Sequence, residues 1–99
     1  MKEKSREIEA TRQLLEGKRK LIRKLNYRQV ATLKHALDHP NYFYTIEGYK
    51  NSHGIYYDTA RRDLLALSEK YGFLNKQKVG RTFVFESPPD LKKRISKIN

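Results

Sequence analysis

The sequence predicts a mainly α-helical fold with a small β-hairpin, and three observations carry that expectation. Apolar residues recur at helical spacing over most of the chain. Capping and stop signals then cut the helical part into short pieces. After Gly72 the period changes, and Phe73–Lys78 and Arg81–Glu86 form two short runs around Val79-Gly80, as in a hairpin. With 99 residues, 37% of them apolar, the chain suits one small domain whose core is shared among short elements.

Residues 2–25 read as a long, highly charged helix. Ile8, Leu15 and Ile22 repeat every seven residues, with Leu14, Leu21 and Leu25 alongside, which is a narrow seam suited to one other helix. Gly17 lies inside it and weakens it by roughly 1 kcal/mol relative to Ala. Leu25–Val30 marks a fresh helix start. Asn26 and Gln29 have capping-box spacing, and Leu25 and Val30 occupy the staple positions. Val30, Leu33 and Leu37 give that helix its buried face, and Pro40 ends it.

Tyr42, Phe43 and Tyr44 favour a short strand. Thr45 then caps a short helix over about 46–51, with Glu47 in its first turn and Ile46 and Tyr49 buried. Asn51-Ser52-His53-Gly54 is a dense turn signal. The next helix, Ile55–Tyr71, is the organising element. Ala60, Leu64, Leu67 and Tyr71 form its buried stripe, Asp58, Arg61, Arg62 and Glu69 lie off that stripe, and Gly72 stops it. Tyr56 stands where a Ser or Thr commonly caps such a helix, and Tyr caps poorly. Either Asp58 takes the cap or the first turn frays. Beyond the hairpin, Ser87-Pro88-Pro89-Asp90 reads as the start of a last helix with Leu91, Ile95 and Ile98 on one edge.

From residue 26 the order is helix, short strand, short helix, turn, helix, hairpin. That is a winged helix-turn-helix spanning 26–86, with residues 1–25 as a helical connector and 87–99 as a C-terminal helix. In such a motif the second helix meets the major groove with its N-terminal residues. The sites this places at a nucleic-acid surface are Tyr57, Asp58, Arg61 and Arg62 on the helix, and Lys76, Lys78 and Arg81 on the wing.

Charge agrees with an anionic partner. The formal net charge is +11, from 22 Lys and Arg against 11 Asp and Glu. The absence of Cys removes disulfides, thiol catalysis and Cys-ligated zinc. His35, His39 and His53 have no metal-motif spacing with a third ligand, and the five glycines form no phosphate loop, so neither metal nor cofactor is expected. No apolar run suits a membrane span, and Met1–Lys20 is too polar for a signal peptide; a cytoplasmic protein with no membrane partner is expected.

Several short motifs give a family resemblance. Leu25-Asn26-Tyr27-Arg28-Gln29, Thr59-Ala60-Arg61-Arg62-Asp63-Leu64, Gly72-Phe73-Leu74 and Gly80-Arg81 together resemble the C-terminal winged-helix domain of Fic family proteins, over about residues 25–95. The helix before them looks like the connector from a catalytic Fic domain. The resemblance implies a parent enzyme that transfers AMP or another phosphate-containing group onto protein hydroxyls. That chemistry uses an H-P-F-x-[DE]-G-N-G motif. Here His39-Pro40 continues Asn41-Tyr42, so this chain is expected to be non-catalytic. The T-x-R-R-D-L core is also similar to that of bacterial DeoR-type repressors. Two functions follow as expectations. One is a duplex-DNA-binding module that regulates an attached Fic domain. The alternative is a protein-interaction module that positions that domain or its target, or forms a homodimer through residues 1–25.

Overall fold

The computed structural model describes residues 17–97. Within them five helices and three strands alternate: α1 (Arg19–Lys24), α2 (Tyr27–Asp38), β1 (Phe43–Thr45), α3 (Ile46–His53), α4 (Tyr57–Leu65), β2 (Asn75–Val79), β3 (Thr82–Glu86) and α5 (Leu91–Ser96). The molecule is mainly helical, with one small antiparallel sheet. The strand order is β1-β3-β2, so β3 is central. Tyr44 pairs with Phe85 on one side of it, and Lys76 pairs with Phe85 on the other.

Local chemistry explains most boundaries. The Asn26 side chain accepts a hydrogen bond from the Gln29 amide at 2.8 Å, and the Gln29 side chain accepts one from the Asn26 amide at 3.1 Å. This reciprocal box starts α2, with Leu25 buried and Val30 packed beside it. Thr45 caps α3 by accepting from the Gly48 amide at 3.0 Å. A Cβ on residue 48 would lie 2.9 Å from that Thr45 hydroxyl, so glycine there keeps the cap intact. Gly54, at φ +60°, ends α3 in the left-handed region that L side chains avoid.

Helix α4 passes directly into one π-helical turn, Ala66–Lys70. The Tyr71 amide donates to the Ala66 carbonyl at 3.0 Å, and both Phe73 and Leu74 donate to Leu67. Ala60, Leu64 and Leu67 are fully buried, as their spacing predicts. Tyr71, at the end of the wider turn, packs against the core but is only partly buried. Its ring stacks on Phe73 at 5.6 Å. Phe73 and Leu74 are core residues ahead of the sheet, and β2 begins only at Asn75.

The core joins all of these elements. Leu21 and Leu25 enter it from the N-terminal side, Leu33 and Ala36 from α2, and Leu91 and Ile95 from α5. Arg94 also ties α5 to the foot of the hairpin, donating to the Gly72 carbonyl at 3.1 Å and the Asn75 side chain at 3.0 Å.

Three sequence expectations change. Within the described part of the helix expected over 2–25, Gly17 and Lys18 form a turn and α1 starts only at Arg19; residues 2–16 lie outside the described residues. Lys18 lies outside helical geometry (φ −118°, ψ 47°). Glycine's large entropic cost in a helix is the physical reason for a turn at this point. The seam residues Ile8, Leu14 and Leu15 lie outside the described residues, as does Ile98. Ser87 does not cap the last helix. It is buried, and its hydroxyl donates to the Ala36 carbonyl at 2.7 Å, while α5 starts after Asp90 with no side-chain cap. Asp58 does not cap α4 either: Tyr56 holds the cap position without a side-chain hydrogen bond, and Asp58 sits in the first turn.

Candidate nucleic-acid interface

Asp63 is the node that sets α4 against its neighbours. Its carboxylate accepts from Arg28 Nε at 2.7 Å, from the Tyr49 hydroxyl at 2.8 Å and from Asn26 Nδ2 at 2.9 Å. The Gln29 side chain reaches the Asp63 carbonyl at 3.2 Å. One buried carboxylate therefore receives groups from the start of α2 and from α3. Burial alone would push the Asp63 carboxyl up. The hydrogen bonds from Arg28, Asn26 and Tyr49 outweigh it and hold the carboxyl below its ordinary value. The same bond, against some desolvation, raises Arg28, and burial with the bond to Asp63 raises the Tyr49 phenol. All three stay in the protonation states that the node requires at neutral pH.

With its inner face fixed this way, α4 presents Tyr57, Asp58, Arg61 and Arg62 outward. Tyr57 is 48% exposed and Tyr56, just before it, 84% exposed. Asp58 and Arg62 stand one helical turn apart, yet no ion pair joins them among the described residues. Tyr56 supplies no cap, so the first turn of α4 has no side-chain cap hydrogen bond.

On the hairpin, Lys76 and Lys78 alternate along β2 and Arg81 follows the turn at Gly80, whose φ is +62°. Lys76 is not free. It pairs with Glu69 of the π turn and lies over the Phe83 ring at 5.0 Å. Lys78 and Arg81 are exposed and have no ion-pair partner among the described residues. Of the seven residues singled out from the sequence, four thus share the N-terminal half of α4. Two lie toward the hairpin tip, and Lys76 is held back at the hairpin's foot.

Sequence reasoning missed Arg28 as the ion-pair partner of Asp63. Tyr27 is 73% exposed, with the Arg28 guanidinium 5.3 Å from its ring centre. The signal for Arg28 was its place inside the capping box, between Asn26 and Gln29, which also meet Asp63. Among the described residues no three His, Asp or Glu side chains converge as a metal site, and no helix is long and apolar enough to cross a membrane. No protein-family model, curated protein or solved structure matches the chain.

Proposed function

We propose that this chain is a winged helix-turn-helix module that binds duplex DNA and regulates an attached Fic catalytic domain, without catalysing a reaction itself. One observation carries the DNA reading. Arg61, Arg62, Lys78 and Arg81 are exposed and unpaired on the second helix and the hairpin, whereas Arg28, Lys76 and Arg94 are each engaged by an acid. Unpaired cations in this layout are what phosphate contact needs. Arg61 and Arg62 lie on the helix that enters the groove, and Lys78 and Arg81 lie on the wing beside it.

The family part of the proposal rests on how the motif residues meet. Asn26, Arg28 and Gln29 of the Leu-Asn-x-Arg-Gln opening all bond to Asp63 of the T-A-x-x-D-L helix. Two motifs far apart in sequence therefore form one structural unit, and Gly72 supplies the left-handed stop (φ +71°) that the third motif calls for.

Fluorescence anisotropy with a mixed-sequence duplex tests DNA binding. Four phosphate contacts give a log–log salt slope of about −3.6, and Arg61→Ala with Arg81→Ala reduces its magnitude by about 1.8. No binding at about 50 mM salt, where electrostatic contacts are strong, sinks the proposal.

A second reading has its own observation. Tyr56, 84% exposed and useless as a cap, forms with Tyr57 and Asp58 a tip suited to a protein partner. Sedimentation of the chain with and without residues 1–24 tests the homodimer version, and a monomer in both cases removes it.

A further inference from the structure

We propose that the groove between α2 and α3 is a binding site for a planar aromatic carboxylate of one or two rings. This goes beyond the DNA reading, since the groove uses none of the residues assigned to DNA.

The groove exists because small side chains face each other across it. Ala31 and Thr32 stand on α2, and Gly48 and Ser52 on α3. They leave a space of about 330 Å³ with β1 along it. Gly48 cannot be enlarged without disturbing the Thr45 cap, so the groove is tied to the geometry that starts α3. A volume of this size lies at the lower end of the range for ligand pockets, enough for one or two rings.

Aromatic groups line two sides. On one side His35 meets the edges of Tyr42 and Tyr44, with ring centres at 4.7 and 5.6 Å. On the other, the His53 ring lies 4.6 Å from Tyr49. A flat ring entering between these groups meets π faces and edges, an arrangement that favours an aromatic over a saturated ring.

The polar groups specify an acceptor. The Tyr44 hydroxyl lies 2.6 Å from His35 Nδ1. Burial raises the Tyr44 phenol and lowers the His35 imidazole, so both groups are held neutral and share one hydrogen bond at Nδ1. The other ring nitrogen of His35, Nε2, has no hydrogen-bond partner among the described residues. His53, in the last turn of α3, has no hydrogen-bond partner among the described residues either. No Asp, Glu, Lys or Arg lines the groove, so nothing repels a carboxylate, and the chain as a whole is at +11.

The test is calorimetry and amide chemical-shift mapping of the full chain with 2-naphthoate. Binding is expected with a dissociation constant on the order of 1 mM or tighter, the range for a ligand of this size. The shifts should centre on Gly48 and His53. Decahydro-2-naphthoate keeps the charge without the aromatic ring, and 2-naphthol keeps the ring without the carboxylate; each should bind several-fold more weakly. Ser52→Phe and Ala31→Phe fill the groove from exposed positions on opposite walls, and each should abolish binding while circular dichroism stays unchanged. His35→Ala and His53→Ala should each weaken it several-fold. The proposal is overturned by no saturable binding at about ten times that concentration. It is equally overturned by shifts elsewhere, by undiminished binding to a filled variant that retains its fold, or by equal affinity for decahydro-2-naphthoate.

Discussion

Replacing Asp63 is the perturbation expected to cost this domain most for a single polar side chain. Asp63→Ala removes an acceptor of three hydrogen bonds, at 2.7, 2.8 and 2.9 Å, from a side chain only 7% exposed. A hydrogen bond to a charged group contributes about 1.5–3 kcal/mol, but three to one carboxylate are not additive. Removing one partner of a buried ion pair costs about 3–5 kcal/mol, because the other charge is stranded. Arg28 is 16% exposed and can turn partly toward water, which places Asp63→Ala near the lower end, about 3 kcal/mol. At roughly 4–8 °C per kcal/mol for a domain of this size, the melting temperature should fall by about 12–24 °C. Asp63→Asn keeps the shape and one acceptor oxygen but turns an amide donor toward Arg28, and should lose about 2 kcal/mol. Urea unfolding followed by circular dichroism measures both, and a cycle with Arg28→Gln isolates the pair. A loss below about 1 kcal/mol for Asp63→Ala, or additivity of the two sites within about 0.5 kcal/mol, refutes the node.

The pH dependence follows with a definite sign. The folded-state pKa of Asp63 is depressed, so the unfolded chain takes up the proton first as pH falls. The contribution is whole above the unfolded value, about pH 4, and is lost as pH falls through the folded one. Wild type and Asp63→Asn should therefore differ in stability at neutral pH and converge in acid.

Three further outcomes are expected. Tyr56→Ser supplies the cap that α4 lacks and removes a side chain that is 84% exposed, so stability should rise by about 1 kcal/mol in the same urea assay; an unchanged or lower value contradicts it. Ser87→Ala removes the hydroxyl that donates to the Ala36 carbonyl at 2.7 Å in a fully buried position, and should cost about 1–2 kcal/mol; a neutral result would show that this bond contributes nothing net. In the duplex-binding assay Arg81→Ala should reduce the salt slope by about 0.9 while Lys76→Ala leaves it nearly unchanged, because Glu69 already holds Lys76; equal effects would show that Lys76 leaves its acid on binding.

The fold was legible where local chemistry and hydrophobic period agreed. The Asn26 to Gln29 box, the Thr45 cap, the stop at Gly72 and the buried stripe Ala60, Leu64, Leu67 are all decided within one or two turns of chain, and each stands as expected, whereas the turn read over 51–54 shrinks to Gly54 because α3 runs on to His53. What failed depended on partners distant in sequence. Ser87 has every local feature of a cap, but a carbonyl on α2 captures its hydroxyl. Tyr71 still packs against the core at the end of the stripe, but a π turn that leaves no mark in apolar spacing makes it only partly buried.

The candidate site divides along the same line. Its cations are apparent from sequence, but their availability is not, because availability depends on which acid each one reaches. Lys76 and Lys78 lie two residues apart on one strand and look equivalent. Glu69 reaches one and not the other. The groove between α2 and α3 was hidden for a related reason. Ala31, Thr32, Gly48 and Ser52 are unremarkable on their own helices and form a space only when those helices are set side by side. Asp63 draws the start of α2 and Tyr49 of α3 to one carboxylate, which fixes that arrangement. The same residue holds the inner face of α4 while Arg61 and Arg62 face outward. A change at Asp63 should therefore disturb the groove and the basic face together, although it belongs to neither.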